Sequence, residues 1–168
     1  MRRTLAVILL ALALTARGIL AQRPDPTQRS MEGPRLGVTY VSGGRPEDFL
    51  RDRGLNRLMT QFGWHSEQEV FPAGRGPAFV VQEVMLVGGV EQQAFLPSVT
   101  LLMGIRTPGG FELGIGPNLS LGGSALTVAI GKSLHYGGVS LPIDLAVTSV
   151  QGSVRTTILL GYAIQWSN

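Results

Sequence analysis

The 168-residue chain contains no cysteine. That excludes a disulfide framework, a thiolate metal site, a cysteine nucleophile and a lipid-bearing cysteine behind an export signal. Charge is scarce in the second half: from Ala78 onward only Glu83, Glu91, Arg106, Glu112, Lys132, Asp144 and Arg155 are charged, seven in 91 residues. Water-facing domains carry charge on roughly a quarter of their residues, so this half is not built to face water on all sides. A basic stripe is also lacking. The formal +3 comes from 14 basic and 11 acidic residues, and Arg2, Arg3 and Arg17 fall in the first 21 residues, which hold no acid, leaving 11 minus 11, or zero. A nucleic-acid partner, which needs a positive surface, is therefore not expected. Past residue 21 no apolar run approaches the about 20 residues of a membrane-spanning helix, and 23 glycines disfavour long helices of any kind.

What the N-terminus does have is an export signal. Arg2 and Arg3 precede an apolar run from Leu5 to Leu14, too short to span a bilayer, and the small residue Ala21 comes just before the sequence turns polar at Gln22-Arg23-Pro24, although Ile19, third before that point, is larger than the preferred alanine. Residues 1–21 read as a cleaved signal peptide, 22–34 as a flexible N-terminal tail, and 35–166 as one domain.

Within that domain the apolar residues repeat every second position. Phe111, Leu113, Ile115, Pro117 and Leu119 alternate with Glu112, Gly114, Gly116, Asn118 and Ser120, the pattern of a strand with one oily and one polar or small face. The same pattern recurs in 125–135 (Leu126, Val128, Ile130), in 139–148 (Leu141, Ile143, Leu145) and in 154–166 (Ile158, Leu160, Tyr162, Trp166). Each runs about 10 to 13 residues, matching the 9–11 of a tilted membrane-spanning strand better than the five or six of an ordinary one. Glycine-bearing breaks at 107–110, 121–123, 137–138 and 151–153 are short enough for hairpins. Upstream, 36–42, 62–71, 78–88 and 92–106 supply four more strands. The total of about eight is the smallest usual outer-membrane barrel.

The expected fold is all-β: a closed antiparallel up-and-down β-barrel with one short helix between strands 1 and 2. Hydrocarbon offers no partner for an unpaired backbone N–H or C=O, so a sheet in lipid can have no edge. The ten apolar residues named in 126–166 are then expected to face lipid. His65, Glu67, Glu69, Arg106, Glu112, Asp144 and Arg155 fall on the opposite face, where they should pair as an interior polar cluster, because isolated charges there are costly. With side chains filling so narrow a barrel, no open pore is expected. Pro117 and Pro142 suggest bulges or edge-like irregularities.

Through strands such as GFELGIGPNLS, GVSLPIDLAV and the closing VRTTILLGYAIQW, the chain from about 35 to 166 resembles small bacterial outer-membrane β-barrel proteins. The resemblance implies residence in the outer membrane, contact with its lipid, and insertion by the barrel-assembly machinery, which reads aromatic-ended final strands. Here Tyr162, Ile164 and Trp166 give the spacing and Ser167-Asn168 follow. It implies a structural, anchoring, or lipid or small-molecule interaction role.

The connection from Gly43 to Gln61 stands apart from the hairpins. Pro46 followed by Glu47 and Asp48 suits a helix start, and Phe49, Leu50, Leu58 and Met59 would form one apolar stripe, interrupted by Gly54, that either caps a barrel mouth or lies at the lipid interface beside Arg51, Arg53 and Arg57, capping being the commoner use of such a stripe.

Catalytic chemistry finds little support. His65 and His135, with Ser133, Ser140, Glu67 and Asp144, are the candidates for an esterase of the kind found among membrane barrels, but their spacing predicts no triad. Two distant histidines do not make a metal site. Gly114-x-Gly116 lies within a strand, so it reads as interior packing room and not as a nucleotide fingerprint. No catalytic residue, cofactor or metal is expected. The competing architecture is a soluble, exported, lipocalin-like barrel carrying an apolar ligand, in which the oily face would point inward.

Overall fold

A computed structural model of the chain describes residues 29–71, 76–136, 139–150 and 152–167. The proposed signal peptide and most of the expected tail lie outside them. The strands are β1 (Arg29–Ser42), β2 (Leu58–Phe71), β3 (Ala78–Gly88), β4 (Leu96–Arg106), β5 (Phe111–Ser120), β6 (Gly123–Tyr136), β7 (Val139–Val150), β8 (Ser153–Gly161) and β9 (Ala163–Ser167). From β1 to β8 each strand pairs antiparallel with the next in sequence. β1 closes the sheet by pairing with β2 on one side and with β8 and β9 on the other. β9 continues the line of β8, so the nine segments make an eight-strand barrel without an edge.

Period-two alternation sets which side chains are enclosed. Leu126, Val128, Ile130, Leu141, Ile143, Leu145, Ile158, Leu160 and Tyr162 all point out of the barrel, Leu126 being 54% exposed, Ile143 46% and Leu160 53%. The backbone of Trp166 pairs with Ser30, while its side chain lies outside those described. Facing inward are polar and small groups: Glu112 is 6% exposed, and Thr39, Gln61, Gln82, Thr100, Asn118, Thr127 and Thr148 are buried. This order is the reverse of a water-soluble barrel. The lipocalin-like alternative, with its oily face inward, is thereby overturned.

Several boundaries differ from expectation. β1 begins at Arg29, so 29–34 belong to the barrel wall and not to a tail; Ser30, Met31 and Glu32 pair with Gln68, Glu67 and Ser66. The fourth strand begins at Leu96, because Val90–Gln92 form a 3-10 turn flanked by left-handed Gly89 and Gln93. The helix, α1 (Gly44–Arg51), is shorter than the stripe suggested. Gly43, at φ 70°, lets the chain turn out of β1, and Glu47 reaches back to accept the Gly43 N–H at 2.6 Å. Leu58 and Met59 are not on the helix but open β2, and alternation sends Leu58 out and Met59 in. Val41, Leu50 and Met59 form a small buried cluster with Phe49 packed against it.

At the two prolines the sheet shows irregularities of the expected kind, but as lapses in the ladder and not as bulges. The β4–β5 ladder lapses opposite Gly116 and Pro117 and resumes in the same register. On the other side of the barrel, the registers Glu32↔Ile164 and Arg35↔Gly161 set Pro34 opposite Tyr162, and Val139↔Ile164 and Ile143↔Leu160 set Pro142 opposite Gly161. Proline has no N–H to give a ladder. The last strand therefore breaks at Tyr162 without slipping, and its alternation continues through Ala163 and Ile164.

Candidate functional site

The barrel interior divides into two halves. Toward the rim where the chain ends meet, seven strands contribute to one polar network. Arg106 on β4 is its hub: Nε donates to Glu67 Oε1 at 2.6 Å, Nη2 donates to Glu67 Oε2 at 2.7 Å and also to Glu112 Oε2, and Nη1 donates to Ser133 Oγ at 2.9 Å. The paired contact to Glu67 is the fork geometry that makes arginine–carboxylate pairs strong. Gln82 on β3 donates to Glu67 at 2.8 Å and to Glu112 at 3.0 Å. Arg35 on β1 donates through Nε to Asp144 Oδ2 at 3.3 Å, and its Nη2 lies 3.0 Å from His65 Nδ1. Since an arginine can only donate, that histidine nitrogen accepts. Arg35 Nη1 also donates to the carbonyls of Pro34 and Tyr162, at the point where the ladder lapses.

Gly131 explains how two acids fit side by side. A Cβ there would collide with Glu112 Oε1 and Asp144 Oδ1, so the glycine opens the space that both carboxylates occupy. The absence of a side chain on β6 is what admits the acids of β5 and β7, its register partners at that position.

Five of the seven expected cluster residues meet here: His65, Glu67, Arg106, Glu112 and Asp144. Glu69 shares their face of β2 but takes no part in the network among the described contacts. Arg155 is not in it either. It lies toward the α1 mouth, where Nη1 donates to Ser120 Oγ at 3.2 Å and Nη2 to Asn118 Oδ1, and no described carboxylate pairs with it. Alternation places residues on a face but says nothing of their height along the barrel, so it could not separate Arg155 from the other charges. Sequence reasoning missed Arg35, Gln82 and Ser133. Arg35 lies one residue outside the strand expected over 36–42, so its alternation with Leu36 is not visible in that span.

From the network side chains His65, Gln82, Glu112 and Asp144 toward the α1 mouth the interior is hollow, about 740 Å³ including its solvent-connected part. Its wall carries Val84, Leu86 and Leu159, which form a second buried cluster, with Leu102, Ala129 and Ala146.

The catalytic candidates are not assembled. His135 faces Ser140 across β6 and β7, but among the described residues no hydrogen bond joins His135 to Ser140 or Ser133, and Ser140 Oγ has no partner. No group of three or more histidines and carboxylates suited to a metal occurs among the described residues.

No family model matches the sequence, and no curated protein does. Solved structures do. The chain superposes on the crystal structure of Ail, the attachment invasion locus protein of Yersinia pestis, with a TM-score of 0.54 at 12% identity, covering 83% of this chain and 99% of that one. A second structure of Ail, in complex with the heparin analogue sucrose octasulfate, gives 0.55 at 11% identity over the same shares. The fold is that of a small outer-membrane β-barrel. At such identity the likeness carries architecture and no site residue, and the interior network described above stands on its own geometry.

Proposed function

We propose that this chain is an outer-membrane β-barrel protein that acts as a closed, lipid-embedded anchor, exported by a cleaved signal in residues 1–21 and inserted by the barrel-assembly machinery. One observation carries the reading: apolar side chains cover the outside while charged ones are enclosed. In water that order would expose a continuous oily surface far beyond what soluble proteins tolerate. In a bilayer it is the stable one, with every spanning backbone group paired around a closed sheet.

The polar network supports a wall without a conducting pore, since Arg35, Gln82 and Arg106 each bond past the adjacent strand, to Asp144, Glu112 and Glu67. The longer connections, 43–57 with α1 and 89–95, lie on the rim opposite the chain ends. By the usual asymmetry of such barrels that rim faces outward from the cell.

Fractionation with heat-modifiable gel migration tests this. The protein is expected in the outer-membrane fraction, migrating differently before and after boiling. Recovery in the soluble periplasmic fraction would overturn the reading.

A further inference from the structure

Arg155 presents a chemical problem that the rest of the interior does not. Arg35 and Arg106 each meet a carboxylate, whereas Arg155 finds only neutral oxygens on Ser120 and Asn118, and its Nε is buried with no partner. A buried cation without a counter-charge is costly. A guanidinium with a free N–H is a fork shaped for a carboxylate or a phosphate.

The surroundings say what the rest of a ligand would be. Arg155 lines both the interior chamber and a second pocket beneath α1, bounded by Pro46, Phe49, Leu50 and Leu121, so the guanidinium stands between the chamber and the mouth. Behind it the wall is apolar: Val84, Leu86, Leu102 and Leu159. The threonines there are mostly paired with one another, Thr39 with Thr157 at 2.7 Å and Thr127 with Thr148 at 2.8 Å, while Thr100 accepts from Asn118 at 2.7 Å. Each of these hydroxyls already has a partner, and Arg155 is the one arginine or lysine among the residues lining the chamber, whose far end carries Glu112 and Asp144. Pockets of this make-up orient a ligand through a few polar groups and hold its body by apolar contact.

We propose that the α1-side half of the barrel is a binding chamber for a small amphiphilic monoanion, its carboxylate on Arg155 and its short apolar body against Val84, Leu86, Leu102 and Leu159. The inference rests on the barrel interior alone and not on where the protein resides.

The test is titration of the full mature chain, refolded in dodecyl maltoside, with hexanoate, followed by NMR at the Arg155 Nε–H. Hexanoate is expected to shift that resonance saturably. Hexanol, hexylamine and inorganic phosphate should each bind at least about tenfold more weakly, roughly the discrimination expected when one charge-assisted hydrogen bond or the apolar contact is lost. Arg155→Gln, read at neighbouring amides such as Asn118, should lose hexanoate binding. Arg155→Lys, which keeps the charge without the fork, should weaken it and serves in place of the glutamine variant if that one fails the heat-modifiability check. Phosphate binding as well as hexanoate would remove the apolar half of the proposal. Equal shifts with hexanol, no saturable shift with hexanoate, or unchanged hexanoate binding in the folded Arg155 variants would overturn it outright. A periplasmic location in the fractionation experiment would leave these results unaffected.

Discussion

Arg106 holds two acids at once, and that defines what its loss should do. In Arg106→Met, Glu67 and Glu112 would stay enclosed with Gln82 as their remaining shared donor. Breaking a buried ion pair by removing one partner typically costs about 3–5 kcal/mol, so the urea midpoint of the refolded barrel should fall accordingly, and Glu67→Gln in the same background should restore part of it. An unchanged midpoint in Arg106→Met would mean the network contributes nothing. Gly131→Ala makes a separate claim: the added methyl displaces Glu112 and Asp144, and overpacking of this kind costs on the order of 1–3 kcal/mol. The inward face of Glu112, Asp144 and Arg106 was legible from alternation alone. Which of them meet was not, because pairing depends on strand stagger around the closed sheet, a quantity fixed by all eight strands together. Arg155 shows the consequence, sharing the face of the others while sitting at a different height.

At the scale of elements, the sequence marked the strands well where alternation was unbroken. Phe111–Ser120 and Ala78–Gly88 match the expected spans in full. It failed at the α1 connection, where helical spacing of Phe49, Leu50, Leu58 and Met59 was accidental: the last two begin β2, and one strand step points Leu58 out of the barrel and Met59 beneath the helix. The β3–β4 connection is tied down by a different device. Glu91 accepts from the Thr60 N–H at 2.9 Å and from the Thr60 hydroxyl. Chiefly through the hydroxyl bond, its carboxyl is lowered from 4.5 to about 2. A carboxyl lowered on folding stabilises above its unfolded value, and that contribution fades as pH falls. Amide-exchange protection at Thr60 should therefore hold above pH 4.5 and decline between about 4.5 and 2, with Glu91→Gln flat across that window. A wild-type profile identical to that of the variant would contradict the assignment.

The whole molecule is organised by one inversion, and its cost should depend on depth. Ile130 points out near the middle of β6, whereas Lys132, two residues nearer the chain-end rim, reaches back to the Gly109 carbonyl at 2.6 Å. Ile130→Arg is expected to destabilise the barrel in vesicles by about 2–4 kcal/mol, the range for a cation at the bilayer midplane. In detergent, where the belt can deform, the effect should shrink. The inversion itself is open to direct observation in a lipid nanodisc doped with a doxyl-labelled lipid, reading paramagnetic broadening of side-chain resonances residue by residue. Leu126, Ile143 and Leu160 should broaden strongly while the adjacent Thr127, Asp144 and Leu159 stay sharp; equal broadening within these neighbouring pairs, or the opposite order, would contradict the account.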